Sequence, residues 1–198
     1  MIKNVIFDIG NVLLDFCWKD HIARFGFHGE KADRIAQAMM LGPIWPKLDL
    51  GLESDEDILE QFVAHTPELE QEIRLVFSDL STIVREYEGS VDWIESLKAR
   101  GYHTYYLSNY GERIRREASK ELSFLSHMDG GIMSYTVHLA KPDPAIYQTL
   151  LDRYGLKAEE CVFLDDTVRN VEAAQALGIA GIVVTSQEQA KKELETLL

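Results

Sequence analysis

The chain has 198 residues, of which 46% are hydrophobic and 27% charged, enough for one sizeable core plus a small second unit. Its formal net charge of −13 repels phosphate backbones and anionic lipid heads, which argues against nucleic-acid and membrane partners but leaves an anionic small molecule open. Two cysteines, Cys17 and Cys161, cannot build a disulfide framework, no signal peptide precedes Asp8, and no apolar run approaches membrane-spanning length. The expectation is a cytoplasmic monomer or small homo-oligomer.

In chain order, Val5-Ile6-Phe7 is a short apolar run that reads as a buried strand ending at Asp8. From about Phe16 to Ile83 the pattern predicts helices and no strand. Lys31 to Leu41 is amphipathic, and Ser54 starts a helix with Ile58, Leu59, Phe62 and Val63 on one face. Thr66-Pro67 starts another, carrying Leu69, Ile73, Val76, Phe77 and Leu80. Ser90 reads as the N-cap of a helix closed by Gly101, followed by a strand from Tyr102 to Leu107 and a weaker one from Ile132 to Tyr135. Asp143-Pro144 starts a helix that Gly155 stops. Cys161 to Leu164 and Gly181 to Val184 read as strands, with helices from Val168 to Leu177 and from Gln187 to Leu198. This alternation predicts an α/β fold with a doubly wound parallel sheet. Residues 1–15 and 84–198 would form the α/β core, and residues 16–83 a small helical cap inserted after the first strand.

In a parallel sheet the C-terminal ends of all strands share one edge, where ligands bind. The first strand ends in Asp8, the second in Ser108-Asn109 and a third in Asp165-Asp166, with Lys141 in a loop between the last two. Any one of these alone reads as a turn, a cap or a surface lysine. Together they bring three carboxylates, a hydroxyl and a lysine to one edge. Crowded carboxylates repel unless a cation joins them, and a small set of hard oxygens without His or Cys favours Mg²⁺, which completes its shell with water and substrate phosphate. Asp8 would then be placed to attack phosphorus and form an aspartyl-phosphate.

The constellation resembles the haloacid dehalogenase superfamily in its phosphatase branch. Asp8-Ile9-Gly10-Asn11-Val12 is similar to the first motif, Leu107-Ser108-Asn109 to the second, Lys141-Pro142-Asp143-Pro144 to the third, and Phe163-Leu164-Asp165-Asp166 with Asn170 to the fourth. The four occur in order and span most of the chain. The resemblance implies Asp8 as nucleophile, with Asp8, the Gly10 carbonyl and Asp166 on Mg²⁺ and Asp165 a direct or water-mediated ligand. It implies Ser108 and the Asn109 N–H on the phosphate, Lys141 balancing Asp8 and the phosphoryl oxygens, and the Asn11 N–H near the phosphate. Many relatives carry a second Asp two residues after the nucleophile as general acid and base. Here that place is Gly10, so the protonation of the leaving group has no assigned donor. The Gly-Asn-Val pattern resembles a sub-group that includes bacterial phosphatases of sugar phosphates such as glucose 1-phosphate.

The expected function is a Mg²⁺-dependent phosphohydrolase acting on a small phosphorylated metabolite, such as a sugar phosphate. Two alternatives stand beside it. A 2-haloacid dehalogenase would use the same Asp8 on carbon with no metal, against which the paired Asp165-Asp166 argues. A catalytically degenerate phosphate-binding module is suggested by Gly10 and opposed by the intact Asp8, Lys141 and Asp166. Asp15 reads as a hinge or capping residue, and Trp45 as an aromatic of the cap core. No residue between Cys17 and Ile83 declares a specificity role.

Overall fold

Val5, Ile6 and Phe7 are apolar on both faces of their strand because both faces are covered. The computed structural model describes residues 1–198 and contains seven strands. These are β1 (Asn4–Phe7), β2 (Leu14–Phe16), β3 (Val84–Glu86), β4 (His103–Ser108), β5 (Gly130–Met133), β6 (Cys161–Asp165) and β7 (Ala180–Val183). Five of them form one sheet in the order β5-β4-β1-β6-β7, with every pairing parallel. The α/β doubly wound expectation therefore stands. The central strand β1 has β4 on one side and β6 on the other, so the chain reverses its direction of travel across the sheet beside β1, which is where such sheets open a crevice.

Ten helices accompany the strands. Five lie between β2 and β3: α1 (Trp18–Arg24), α2 (Gly29–Ala38), α3 (Trp45–Leu50), α4 (Asp55–His65) and α5 (Glu70–Phe77). The others are α6 (Ser90–Ala99), α7 (Glu112–Glu117), α8 (Pro144–Tyr154), α9 (Val168–Ala176) and α10 (Gln187–Glu195). Along β1 the side chains alternate. Ile6 joins Ile146, Tyr147 and Leu150 of α8 and Ala174 of α9 on one face. Val5 and Phe7 join Trp93, Ile94 and Leu97 of α6 and Leu194 of α10 on the other. Phe7 meets Trp93 edge to face, with centroids 4.9 Å apart. The core on this second face runs on without a break into the helical segment through Ile22, Ile35, Phe62, Ile73 and Phe77.

Local signals placed several termini. Ser54 accepts from the Asp57 N–H at 3.1 Å, Asp143 accepts from Ala145 N–H at 2.9 Å, and Gly155 ends α8 with φ +63°. Others moved. Ser90 is the first helical residue rather than the N-cap, because its buried hydroxyl donates to the Leu13 carbonyl and Gly89 takes the cap position. The Thr66-Pro67 helix divides into a 3-10 turn (Pro67–Leu69) and α5. The strand read as Ile132 to Tyr135 lies two residues earlier, since Ser134–Thr136 turns away as a 3-10 helix. The antiparallel β2–β3 ribbon, at either end of the helical segment, was not expected. Three-residue strands leave too little periodicity to detect. Asp15 lies in this ribbon opposite Arg85 and accepts from the Cys17 thiol, and it does not line the cavity described below.

Candidate active site

A buried carboxylate demands compensation. Asp8 follows β1 directly and is 8% exposed; its N–H continues the sheet pairing to the Leu164 carbonyl at 2.8 Å. One carboxylate oxygen accepts from the Ile9 N–H at 2.7 Å and lies 2.8 Å from the Lys141 ammonium. Lys141 also donates to Asp165 at 2.6 Å, and its side chain is almost wholly buried. Burial pushes the Asp8 carboxyl up to about 6; Lys141 opposes the rise and Asp165 adds to it. Burial also works against the Lys141 ammonium, but Asp8 and Asp165 outweigh it and hold the lysine above its ordinary range.

Lys141 is aimed by a neighbour. The Asn109 side chain forms a reciprocal pair with the Lys141 backbone, donating to its carbonyl at 3.0 Å and accepting from its N–H at 2.7 Å. Sequence reasoning assigned only the Asn109 N–H, so this side-chain clamp was missed. Asp165 is fully buried and receives four hydrogen bonds, from Lys141, from the Thr167 N–H and from the Asn170 amide on both oxygens. Asp166 differs. It is half-buried, with one oxygen accepting from the Asn11 amide at 2.9 Å and the other from the Thr167 hydroxyl at 3.3 Å. Asn11 holds φ +55°, a conformation that Asn tolerates better than most residues, and it ties the loop after β1 to the loop after β6.

Asp8, Asp165 and Asp166 each offer an oxygen, and these oxygens lie within 4.8 Å of one another. Three carboxylates against the one ammonium of Lys141 leave an excess of two negative charges. Hard oxygen donors with that excess fit Mg²⁺.

A cavity of about 220 Å³ opens over this cluster. Asp8, Gly10, Asn11, Ser108, Asn109, Asp166 and Thr167 line its floor, which gathers the loops after β1, β4 and β6. Of the predicted site residues, Lys141 and Asp165 sit beneath that floor, in contact with Asp8 and with each other. The roof is apolar, formed by Leu14, Phe16, Trp45, Val84, Tyr110 and Ile114. Trp45 packs as expected against Phe62, with centroids 6.2 Å apart, and it also reaches the cavity. Asp49, near the end of α3, is the one charged residue that the helical segment contributes. Nothing around Lys47-Leu48-Asp49-Leu50 signals this in sequence, because the position faces the cavity only once α3 has docked.

The profile of the haloacid dehalogenase-like hydrolases matches residues 2–178. Over 204 residues the chain is 32% identical to acyl-CoA dehydrogenase family member 10 of Mus musculus, matching 99% of this chain and 19% of that protein. It is 30% identical over 142 residues to a phosphorylated carbohydrates phosphatase of Thermotoga maritima, covering 71% of this chain and 63% of that one. The chain thus spans about a fifth of the first relative's length and under two thirds of the second's. In fold it is similar to a HAD family enzyme of Bacteroides thetaiotaomicron crystallised as a magnesium complex. The TM-score is 0.76 at 22% identity, covering 98% of each chain.

Proposed function

The chain belongs to the haloacid dehalogenase-like hydrolases, and from that premise we propose that it is a Mg²⁺-dependent phosphomonoesterase acting on a small phosphorylated metabolite. The observation that carries the reading is the Asp8–Lys141–Asp166 cluster, a buried carboxylate placed as nucleophile beside one fixed cation and one accessible carboxylate. Asp8, the Gly10 carbonyl and Asp166 would hold the metal. Asp165, whose oxygens already receive four protein hydrogen bonds, stands beside it and fixes Lys141. When bound, the cation neutralises charge on the phosphoryl oxygens.

The chain's own residues do the rest. Ser108 and the Asn109 N–H orient the phosphate, with the Asn11 N–H at the opposite loop. Lys141 favours the ionised form of the buried Asp8 and screens it from the incoming anion. Asp8 attacks phosphorus, the alcohol departs, and water cleaves the aspartyl-phosphate. The cavity volume suits a small ester, and the relative that acts on phosphorylated carbohydrates supports a sugar phosphate as its occupant. The 16–83 segment would act as a cap that closes water out of the site.

The test is phosphate release from a panel of sugar phosphates and p-nitrophenyl phosphate, with Mg²⁺ and with EDTA. Release that EDTA abolishes and Mg²⁺ restores is the expected result. Release indifferent to EDTA, or chloride release from a 2-haloacid without phosphate release, would overturn the reading.

A further inference from the structure

A phosphate monoester leaves as an alkoxide unless a proton reaches the ester oxygen as the P–O bond breaks, and an alkoxide of a simple alcohol is a poor leaving group. The floor of the cavity offers no sufficiently acidic proton: its only hydroxyls, on Ser108 and Thr167, are weak acids, and the Thr167 hydroxyl already donates to Asp166. Asp8 is the nucleophile, Asp166 is tied to Asn11 and Thr167, and Gly10 has no side chain. A Cβ built at Gly10 would meet nothing within 4 Å, so the space beside the nucleophile on that side is open.

The roof supplies one group. Resting on the phosphatase reading above, we propose that Asp49 is the general acid that protonates the leaving-group oxygen, delivered to the site by the helical segment rather than by the strand ends. It lines the same cavity as Asp8, Ser108 and Asn109, and its side chain makes no hydrogen bond or ion pair within the protein. Its backbone, by contrast, is pinned to the strand ends. The buried Ser134 hydroxyl donates to the Asp49 carbonyl and accepts from the Tyr110 N–H at 2.9 Å. His138 donates to the Leu50 carbonyl at 2.8 Å. Leu48 packs on Gly111 at contact distance, where a Cβ at Gly111 would lie 3.4 Å from the Leu48 Cβ. These three contacts fix α3 against the loops after β4 and β5. A free carboxyl on a fixed backbone is the arrangement that proton transfer requires.

The groups that face Asp49 are Asp8, Lys141 and Tyr110. Burial beneath the apolar roof, reinforced by the Asp8 charge and opposed by Lys141, pushes the Asp49 carboxyl upward, a direction that favours the protonated form a general acid needs. Tyr110 is the other hydroxyl-bearing roof residue, but burial raises its pKa above an already high ordinary value, which makes it the weaker donor.

In the step, an Asp8 oxygen forms the new bond to phosphorus while the bond from phosphorus to the ester oxygen breaks. The electron pair of that bond stays on the ester oxygen and takes the Asp49 proton, giving the neutral alcohol. Asp49, now a carboxylate, regains a proton from the water that cleaves the aspartyl-phosphate.

The experiment compares wild type with Asp49→Asn in single turnovers with Mg²⁺, following leaving-group release from p-nitrophenyl phosphate and from a hexose 6-phosphate. A thermal melt checks that the variant is folded. Nitrophenolate departs without a proton and the hexose oxygen does not. The expected result is a loss of about 10²–10⁴-fold on the hexose ester with the aryl ester almost unchanged. Alongside it, the alkaline limb of the wild-type pH profile on the hexose ester should vanish in the variant. Equal slowing of both esters, or an unchanged rate on the hexose ester, would overturn the assignment. Wild-type protein inactive on both esters would overturn the phosphatase reading itself, and this assignment with it.

Discussion

The two walls of the cavity are built on different physics. The floor is polar and over-determined: Lys141 is held by Asn109, Asp8 and Asp165, and Asp165 by Lys141, Thr167 and Asn170. The roof is apolar, and its aromatic residues belong at the same time to the core of the helical segment, as Trp45 does through Phe16 and Phe62. A floor of this kind tolerates almost no substitution, because each buried charge depends on the others. A roof of this kind can exchange side chains at the cost of packing alone. On this contrast the buried charges that serve Asp8 belong to the strand ends, and the roof brings apolar contacts together with one carboxyl, that of Asp49.

The largest effect that would break this comparison belongs to Asp8. Asp8→Asn keeps an oxygen for the Ile9 N–H and leaves the Lys141–Asp165 pair intact, so the fold should survive. Phosphate release should fall on the order of 10⁴–10⁶-fold, as for loss of a covalent nucleophile. A variant with undiminished release would move the chemistry away from the floor. Lys141→Met comes next. It strands two buried carboxylates, and denaturant titration should show a loss of about 3–5 kcal/mol, the usual result of breaking a buried charge network on one side. A loss below 1 kcal/mol would mean that solvent reaches Asp165 (about the value of an exposed pair).

Trp45→Leu sharpens the roof side. It should change the ratio of kcat/KM between a bulky and a small ester by about 10–100-fold while leaving inhibition by inorganic phosphate unchanged. If phosphate inhibition weakens as well, roof and floor are not separable. The smallest effect concerns His21, which is fully buried in the helical segment. Its Nε2–H donates to the Val76 carbonyl at 3.3 Å and its Nδ1 accepts from the Thr82 hydroxyl at 3.0 Å, an assignment of the proton made from these partners. Burial lowers its pKa below the usual imidazole value. The unfolded chain therefore binds the proton more readily, so the His21 contribution is complete above about pH 6.5 and is lost as the pH falls below it. The melting temperature should decline over that window, and His21→Gln should flatten the decline. An unchanged slope would assign the acid sensitivity to carboxylates instead.

Much of the floor was legible because Asp8 directly follows the apolar run of β1, and Ser108 and Asp165 close the largely apolar strands β4 and β6. Asp8, Ser108 and Asp165-Asp166 could be placed on one edge from strand ends alone, since all strands of a parallel sheet run the same way. The partners of those residues were not legible. That the Asn109 amide would grip Lys141, or the Asn11 amide Asp166, depends on side-chain directions across more than 30 residues in one case and 155 in the other. The α3 helix was missed for a related reason: it has six residues, too few to show a period, with Pro46 near its start.

Sequence alone determined the order of the five strands of the parallel sheet and of the longer helices, the caps at Ser54 and Asp143, and the set of strand-end residues that meet at the sheet edge. All of these follow from periodicity, backbone preference and the single direction of a parallel sheet, which are local properties or simple consequences of them. Only the tertiary structure decided which carboxylates are saturated and which are free, and that Asp49 lines the same cavity as Asp8. Those facts depend on how α3 docks through Ser134, His138 and Gly111 on loops far along the chain. Docking of this kind is set by shape and by the matching of individual donors and acceptors, which no stretch of sequence carries by itself.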